Sequence, residues 1–284
     1  MQCLLRLLRI VAFAGCWAIA SSVYGVPVNA QVTSNPHVQL TYLTPHNAGL
    51  KSVAESVKKW AVLEQFGQFL VPLRLPRKLV VQFDECGAVA RPYRPGGPVT
   101  VCYELIDKIE QIAAKVDPDS RELVLVGTII QAIFHETAVA VFDVLQVPIW
   151  GRREDAADRL AGFLMVEFGP ELAKRLIIGT AIFFKESGKT WTGSQFADAS
   201  APEAQRFYNY LCMAYGSEPK TFSSFVQDEN GGDFALPRGR AALCQNEFEQ
   251  VRKAFNLRIM PYVDPDLLVR IRAKPWSLFA SARL

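Results

Sequence analysis

A histidine and two later carboxylates are the residues of this chain best suited to chemistry. His135 and Glu136 are adjacent, and Glu154 and Asp158 follow four residues apart. Hydrolysis by zinc requires neutral nitrogen or anionic oxygen ligands, an open position for water and a base beside that water. A helix provides part of this set by placing two ligands at i and i+4, with a glutamate directly after the first. His135 and Glu136 match that pattern, but the i+4 position is Val139, whose side chain has no donor atom.

The downstream acids form the second half of the possible site. Glu154 and Asp158 share one helix face because they are one turn apart. One carboxylate could reach a metal while the other accepts the N–H of His135 and fixes its tautomer. Asp155 is a further candidate oxygen ligand. A purely structural interpretation also stays open, because acids in a first helical turn oppose the helix dipole and buried histidines are commonly hydrogen-bonded without a metal.

No other residue is an evident replacement for the missing histidine. Asp143 lies about 12 Å along a helix axis from the histidine, which is too far to share its metal. His37 and His46 precede the first predicted helix and could fold over a cleft, although the loop around His46 also fits a surface or capping role. Tyr208 or Tyr210 could donate to a developing oxyanion, or pack in the core with a tethered hydroxyl.

The elements that would position these residues are mainly helices. Apolar periodicity predicts helices over 48–69, 104–116, 122–145, 153–168, 203–215 and 236–255. Strand-like runs at 78–83 and 98–103 flank a segment rich in Pro and Gly, which predicts a hairpin. The helix that carries His135 is apolar on almost every face, so it is expected to be a central helix buried in the domain. Helices dominate and the strands come early, so the predicted class is α+β.

The N-terminus has the features of an export signal. Residues 1–9 contain two arginines and no acid, a short apolar run follows, and small residues end at Ala30. We therefore expect a signal peptide over 1–30, cleaved near Ala30, and a secreted or periplasmic protein. Lipidation at Cys16, within "FAGC", is the alternative. The remaining chain predicts a domain over 31–262 and a C-terminal tail over 263–284, which could dock on the domain or on a partner.

Four cysteines remain after the signal, and an even number in an exported protein favours two disulfides. Three pairings are possible. Cys86 with Cys102 would close the predicted hairpin, and Cys212 with Cys244 would then join two helices. Four reduced, buried thiols are the alternative. No cysteine pair has the short spacing of a zinc cluster.

The charge of the mature chain is nearly balanced. Without Arg6 and Arg9, 29 basic residues face 28 acidic ones. This balance gives no argument for binding nucleic acid or an anionic membrane surface. We also expect no transmembrane helix after the signal, because a charged pair in the apolar run 122–145 would be costly at membrane depth.

Five ordered blocks of the sequence resemble one protein family. The run "HETAVAVFDVLQVPIWGRREDAADRLA" is similar to the HExGHAxID and LxLPxxGREEDAAD patterns of a bacterial family of exported zinc metallopeptidase-like proteins of otherwise unknown function. The likeness extends to "LPRKLVVQFDECG", "VTVCYEL", "RFYNYLCMAYGSEP" and "LPRGRAALCQNEF". Together the blocks cover roughly 43–262, and several separated blocks are more specific than one motif.

The resemblance implies a zincin-like fold with a bound zinc ion. By this likeness His135 would be a zinc ligand, Glu136 the base that activates water, and Glu154 the acidic ligand. Asp158 would be the hydrogen-bond partner of His135. The sequence departs from the family at Val139, where the family has its second histidine, and a positive Arg153 replaces the first acid of "GREEDAAD".

Two functions stay open at this point. The first is a non-catalytic descendant with a degenerate motif, impaired or inactive as a peptidase, which keeps the fold and a cleft that binds a peptide or protein. The loss of the second imidazole ligand, at the position of Val139, favours this function. The alternative is an active zinc peptidase with the non-standard ligands His135, Glu154 and Asp155, in which Glu136 activates water and Tyr208 stabilises the oxyanion.

Overall fold

Helices make up most of the structure, with a small sheet near the N-terminal end. The computed structural model describes residues 35–87, 93–189, 196–226, 234 and 236–272. The strands are β1 (Val38–Tyr42), β2 (Leu79–Asp84) and β3 (Val99–Cys102). The helices are α1 (Lys51–Lys59), α2 (Val62–Phe69), α3 (Tyr103–Ala113), α4 (Pro118–Val144), α5 (Arg153–Val166), α6 (Pro170–Ser187), α7 (Glu203–Ser217), α8 (Arg238–Arg258) and α9 (Pro265–Arg272). The predicted α+β class, mostly helical with a small N-terminal sheet, is confirmed.

The sheet is parallel throughout, so the predicted hairpin is wrong. The strand order is β1-β2-β3, with Val38 opposite Leu79 and Val81 opposite Val99. Parallel neighbours cannot be joined by a tight turn, because the chain must return to the starting edge of the sheet. The carboxyl end of β2 and the amino end of β3 therefore lie at opposite edges of the sheet.

Both predicted disulfides are present. Cys86 follows β2 and Cys102 ends β3, so the bond joins the carboxyl ends of two parallel strands, with a Cα–Cα distance of 5.5 Å. The pairing was predicted from a hairpin. In a parallel pair the carboxyl ends of the two strands lie side by side, so the same two cysteines can form a disulfide without a hairpin. Cys212 and Cys244 join α7 to α8 at a Cα–Cα distance of 5.0 Å.

The central helix α4 is buried, as predicted. Its contact with α6 is close: a Cβ on Gly127 would lie 2.3 Å from the Leu176 carbonyl oxygen, and one on Gly179 would lie 1.7 Å from that of Leu123. Only glycine permits this approach. Within the described residues, α4 alone is long and apolar enough to cross a membrane, but 89% of its most apolar 18-residue window is buried inside the protein. Its composition is therefore that of a core helix.

Several elements differ from those predicted. The helix expected over 48–69 is divided by Ala61, whose φ of 52° lies in the left-handed region. β1 and α6 were not predicted, although Pro170 at the first position of α6 is a helix-start signal. The tail contains α9 as far as Arg272. The predicted signal peptide, its cleavage near Ala30 and the alternative at Cys16 lie outside the described residues.

Candidate functional site

The structure brings His135, Glu154 and Asp158 together. His135 is 6% exposed and lies on α4. Its Nδ1 is 2.8 Å from Oδ1 of Asp158, and its Nε2 is 2.8 Å from Oε2 of Glu154. Both ring nitrogens therefore contact a carboxylate.

The start of α5 determines this geometry. Gly151, with a φ of 101°, precedes the helix, and Arg152 is its N-cap. Glu154 lies in the first turn and its side chain is 28% exposed, whereas Asp158 lies one turn further in and is buried. The four-residue spacing thus places one carboxylate at the rim and the other in the core, with the imidazole of His135 between them.

Asp158 is the centre of a larger network. Arg206 on α7 donates from Nε to Oδ2 and from Nη2 to Oδ1, each at 2.7 Å. Tyr210 donates its hydroxyl to Oδ1 at 3.0 Å, and Gln131 donates from Nε2 to Oδ1 at 3.3 Å. Gln131 also donates to the Tyr210 hydroxyl at 2.8 Å. These bonds satisfy a carboxylate that would otherwise be costly to bury.

The charges of the network alternate in sign. Burial alone would raise the pKa of Asp158, but the Arg206 guanidinium and the His135 imidazole hold that pKa well below its usual range. Burial alone would lower the pKa of His135, but hydrogen bonds to Asp158 and Glu154 outweigh it and raise the pKa to about 9. The hydrogen bond from His135 lowers the pKa of Glu154. At neutral pH the order is therefore negative Glu154, positive His135, negative Asp158 and positive Arg206.

Glu136, the predicted base, lies outside this network. Burial raises the pKa of its carboxyl group, and the negative charge of Glu154 adds to the rise against the opposing charge of His135. Among the described residues, no side chain or backbone amide donates a hydrogen bond to the Glu136 carboxylate. Its role as a base stays a prediction.

The position of the missing ligand is apolar. Val139 is 4% exposed and belongs to a buried apolar cluster that includes Phe142, Leu160 and Phe163. A water molecule could occupy the missing ligand position only if the isopropyl group of Val139 moved out of this cluster. That movement would open an apolar cavity.

The structure does not bring Asp155 to the histidine. Its Oδ2 accepts from Arg152 Nε at 2.8 Å, and its Oδ1 accepts from the Ala201 amide at 3.0 Å. In the described part of the chain, no third His, Cys, Asp or Glu has a ligand atom within 4.8 Å of those of both His135 and Glu154. The ligand set with Asp155 is therefore not assembled.

The other candidate residues lie elsewhere. Tyr208 is 37% exposed and packs edge-on against Phe207 at 4.9 Å between ring centroids. The backbone amide of His46 donates to Glu85 at 2.7 Å. Asp143 accepts from Arg77 at 3.2 Å and from Tyr93 at 3.1 Å. His37 is bonded through its own backbone amide to the Asn35 side chain. None of these bonds involves the network around His135.

Sequence reasoning missed Arg206 and Gln131. Gln131 is four residues before His135, and Arg206 is four residues before Tyr210, so each shares a helix face with a residue that had been singled out. A search for polar residues at that spacing on apolar helices could have found both.

The fold and the site define a mostly helical α+β protein in which one histidine lies between carboxylates from the next helix. Residues 42–258 match the DUF4344 family, described as "Putative metallopeptidase". The match covers more than half of the chain, and the protein therefore belongs to that family. No protein of curated function and no solved structure matches the chain.

Membership in this family suggests a metal, typically zinc, so we compared the site with the needs of that ion. A catalytic zinc site has three protein ligands and one position for water. The described residues supply two donors, on His135 and Glu154, and the third position is the buried Val139. Arg206 already neutralises the second carboxylate at Asp158. The residues brought together do not fit a zinc ion.

Proposed function

We propose that this protein is an exported, non-catalytic member of the metallopeptidase family that keeps a zincin-like fold and acts as a binding or structural protein. The degenerate motif has become an ion-pair network that connects helices. One observation carries the proposal: both nitrogens of His135 are 2.8 Å from carboxylates, and among the described residues no third His, Cys, Asp or Glu has a ligand atom within 4.8 Å of those of both His135 and Glu154.

The network supports a structural role because it joins four helices. His135 belongs to α4, Asp158 to α5 and Arg206 to α7, and the Arg206 guanidinium carbon lies 4.2 Å from the ring centroid of Phe184 on α6. Removing one partner from a buried charge pair typically costs about 3–5 kcal/mol. A site retained for stability accounts for the survival of these residues without a full ligand set.

Metal analysis tests the proposal. The mature protein is dialysed against zinc, freed of excess ion and analysed for its metal content. We expect well below one zinc per chain and no change in melting temperature on adding a chelator. One zinc per chain that disappears in Glu154→Ala, together with chelator-sensitive cleavage of unfolded casein, would show that the protein is an active enzyme.

A matched pair of variants sharpens this test. Val139→His restores an imidazole one turn after His135, and we expect zinc binding to increase in that variant. Val141→His places the same group in the same helix and apolar cluster at the wrong spacing, and should bind no zinc. If both variants or neither bind zinc, the placement of Glu154 as the remaining ligand is wrong.

One observation favours the alternative, an active peptidase with unusual ligands. Glu136 is directly after His135, and its carboxylate has no hydrogen bond to a described residue, so the carboxylate is available as a base. Asp155 would have to give up its bonds to Arg152 and Ala201 to complete the ligand set. Asp155→Asn distinguishes the two functions: an active enzyme would lose cleavage activity, whereas a non-catalytic protein has none to lose.

Export is supported by the two disulfides, which fit an extracellular or periplasmic protein. We propose cleavage of the signal near Ala30. Mass analysis of protein recovered after expression with its own N-terminus should give a chain that starts near Gln31. A lipid-modified chain starting at Cys16 would establish the alternative.

A further inference from the structure

The two disulfides differ in how far they lie from solvent. Cys212 and Cys244, which join α7 to α8, are 1% and 0% exposed. Cys86 and Cys102 are only partly buried, and Gly87, directly after Cys86, is exposed. A thiol in solution can therefore reach the Cys86–Cys102 bond in the folded protein, whereas the Cys212–Cys244 bond becomes accessible only when α7 and α8 separate.

The two sulfur atoms of the accessible disulfide have different surroundings. Cys102 is the N-cap of α3 and lies between the buried residues Val101 and Tyr103. Cys86 follows the end of β2 and precedes the exposed Gly87. A thiolate at a helix N-terminus is stabilised by the helix dipole and the amides of the first turn, and the more stable thiolate is the better leaving group. An incoming thiolate is therefore expected to attack Cys86 and to displace Cys102.

The accessible disulfide lies beside a fixed negative charge. A carboxylate oxygen of Glu104 and the two sulfur atoms all lie within 4.8 Å of one another. That carboxylate is held in place, because it accepts from the backbone amides of Cys86 at 3.0 Å and of Gly87 at 2.6 Å. Asp84 and Glu85 come directly before Cys86 and add two acids at this end of β2. An anionic thiol is therefore repelled from the bond, whereas a cationic thiol is attracted.

We propose that the Cys86–Cys102 bond is a thiol–disulfide exchange site whose substrate is a dithiol without negative charge. In the first step a thiolate of the dithiol bonds to Sγ of Cys86, the bond between the cysteines breaks, and Cys102 leaves as a thiolate with the bonding electron pair. In the second step the other thiolate of the dithiol attacks the mixed disulfide and releases Cys86. The dithiol is thereby oxidised by two electrons, the protein disulfide is reduced, and the two protons lost by the dithiol pass through solvent to the cysteines. The inference does not depend on the metal content of the His135 site.

Timed reduction of the folded mature protein tests whether the bond exchanges in the native state. The protein is incubated with dithiothreitol without denaturant, and the free thiols are trapped with N-ethylmaleimide and located by peptide mass analysis. We expect Cys86 and Cys102 to be labelled at least about tenfold faster than Cys212 and Cys244, at a rate proportional to the dithiothreitol concentration. Equal rates for the two disulfides, or a rate independent of that concentration, would show that reduction requires unfolding and would overturn the proposal.

A monothiol identifies the attacked sulfur, which the accessibility of the bond alone does not determine. Cysteamine forms a mixed disulfide with one cysteine and leaves the other free, and N-ethylmaleimide added after a short reaction traps the free one. We expect cysteamine on Cys86 and N-ethylmaleimide on Cys102 at least about threefold more often than the reverse. Equal amounts of the two products, or an excess of cysteamine on Cys102, would contradict the role of Cys102 as leaving group.

A matched pair of variants tests the selection by charge. At low salt and equal thiolate concentration, the cation cysteamine should react with the bond at least about threefold faster than the anion 2-mercaptoethanesulfonate. Glu104→Gln removes the charge but keeps an oxygen that can accept the backbone amides, so this preference should shrink. Asp107→Asn, which removes an acid further from the start of the same helix, should keep the preference. No preference in the unmodified protein, or one that Glu104→Gln leaves unchanged, would contradict the proposed charge of the substrate.

Discussion

Helix α4 supports a charged network on one face and an unfilled apolar cavity on another. On the first face both ring nitrogens of His135 and the amide nitrogen of Gln131 have hydrogen-bond partners. On the second face a cavity of about 110 Å³ lies beside Ala138, and no side chain of the described residues fills it. The two faces of α4 therefore differ in how completely the described residues fill their surroundings.

The comparison predicts a large loss of stability from Asp158→Ala. This variant removes the acceptor of the Arg206, Tyr210 and His135 bonds, leaves the buried Arg206 without its carboxylate and leaves His135 with Glu154 as its remaining acidic partner. We expect the free energy of unfolding to fall by about 3–5 kcal/mol, measured by denaturant titration. Asp107→Ala, an acid bonded to Gln111 on the exposed side of α3, is the control and should change stability little. A small effect of Asp158→Ala would mean that the network does not hold the helices.

The pH dependence of stability tests the same face. The folded pKa of His135 is raised from 6.5 to about 9, so the native state binds the proton more tightly than the unfolded chain. The resulting stabilisation is complete below pH 6.5 and is lost as the pH rises through 9, a decrease on the order of 3 kcal/mol. The groups that face His135 are Asp158, Glu154 and Arg206, with Glu136 beside it.

Unfolding measured from pH 6 to 9.5 checks this decrease. His135→Gln should remove most of the dependence, whereas His46→Gln, at the surface, should keep it. If stability is flat across this range in the unmodified protein, the pKa of His135 is not raised on folding, and the alternating charges are not formed at neutral pH.

Tyr210→Phe is expected to have an intermediate effect. It deletes the hydrogen bond donated to Asp158 and the one accepted from Gln131, while keeping the ring stacked on Phe184, whose centroid is 5.6 Å away. A loss of about 2 kcal/mol follows from the value of two buried hydrogen bonds. Tyr208→Phe is the matched control on the same helix, and its partly exposed hydroxyl should make no measurable difference. A larger loss from Tyr208→Phe would return that residue to consideration as a functional group.

The sequence predicted the charged network on α4 better than the cavity on the other face of that helix. Glu154 and Asp158 are one helical turn apart, and the family pattern connects them with His135, so both signals can be read from the sequence. Arg206 comes from a helix 48 residues after Asp158 in the chain, and no local pattern indicates which helix will pack there. The cavity was not predicted. Its lining comes from helices far apart in the chain (α2, α4, α5, α8 and α9), and its volume depends on how their side chains pack.

Two errors in the fold have similar physical causes. The alternation of apolar residues in β2 and β3 is the same in parallel and antiparallel pairs, so the strands were found but their direction was not. Ala61 is a strong helix former, and only the tertiary structure explains its left-handed conformation between α1 and α2.

The smallest predicted effect concerns α9, which lines the cavity and forms its cover. Arg272→Ala breaks the ion pair with Glu167, whose two side chains are 54% and 30% exposed, so the free energy of unfolding should fall by no more than about 1 kcal/mol. Arg270→Ala is the control, because Arg270 is on the same helix but does not line the cavity. Hydrogen exchange of α9 should become faster in Arg272→Ala than in Arg270→Ala, because the end of the cover is released. A loss of several kcal/mol would instead show that α9 is an integral part of the core, and the contrast between the two faces of α4 would then be much smaller.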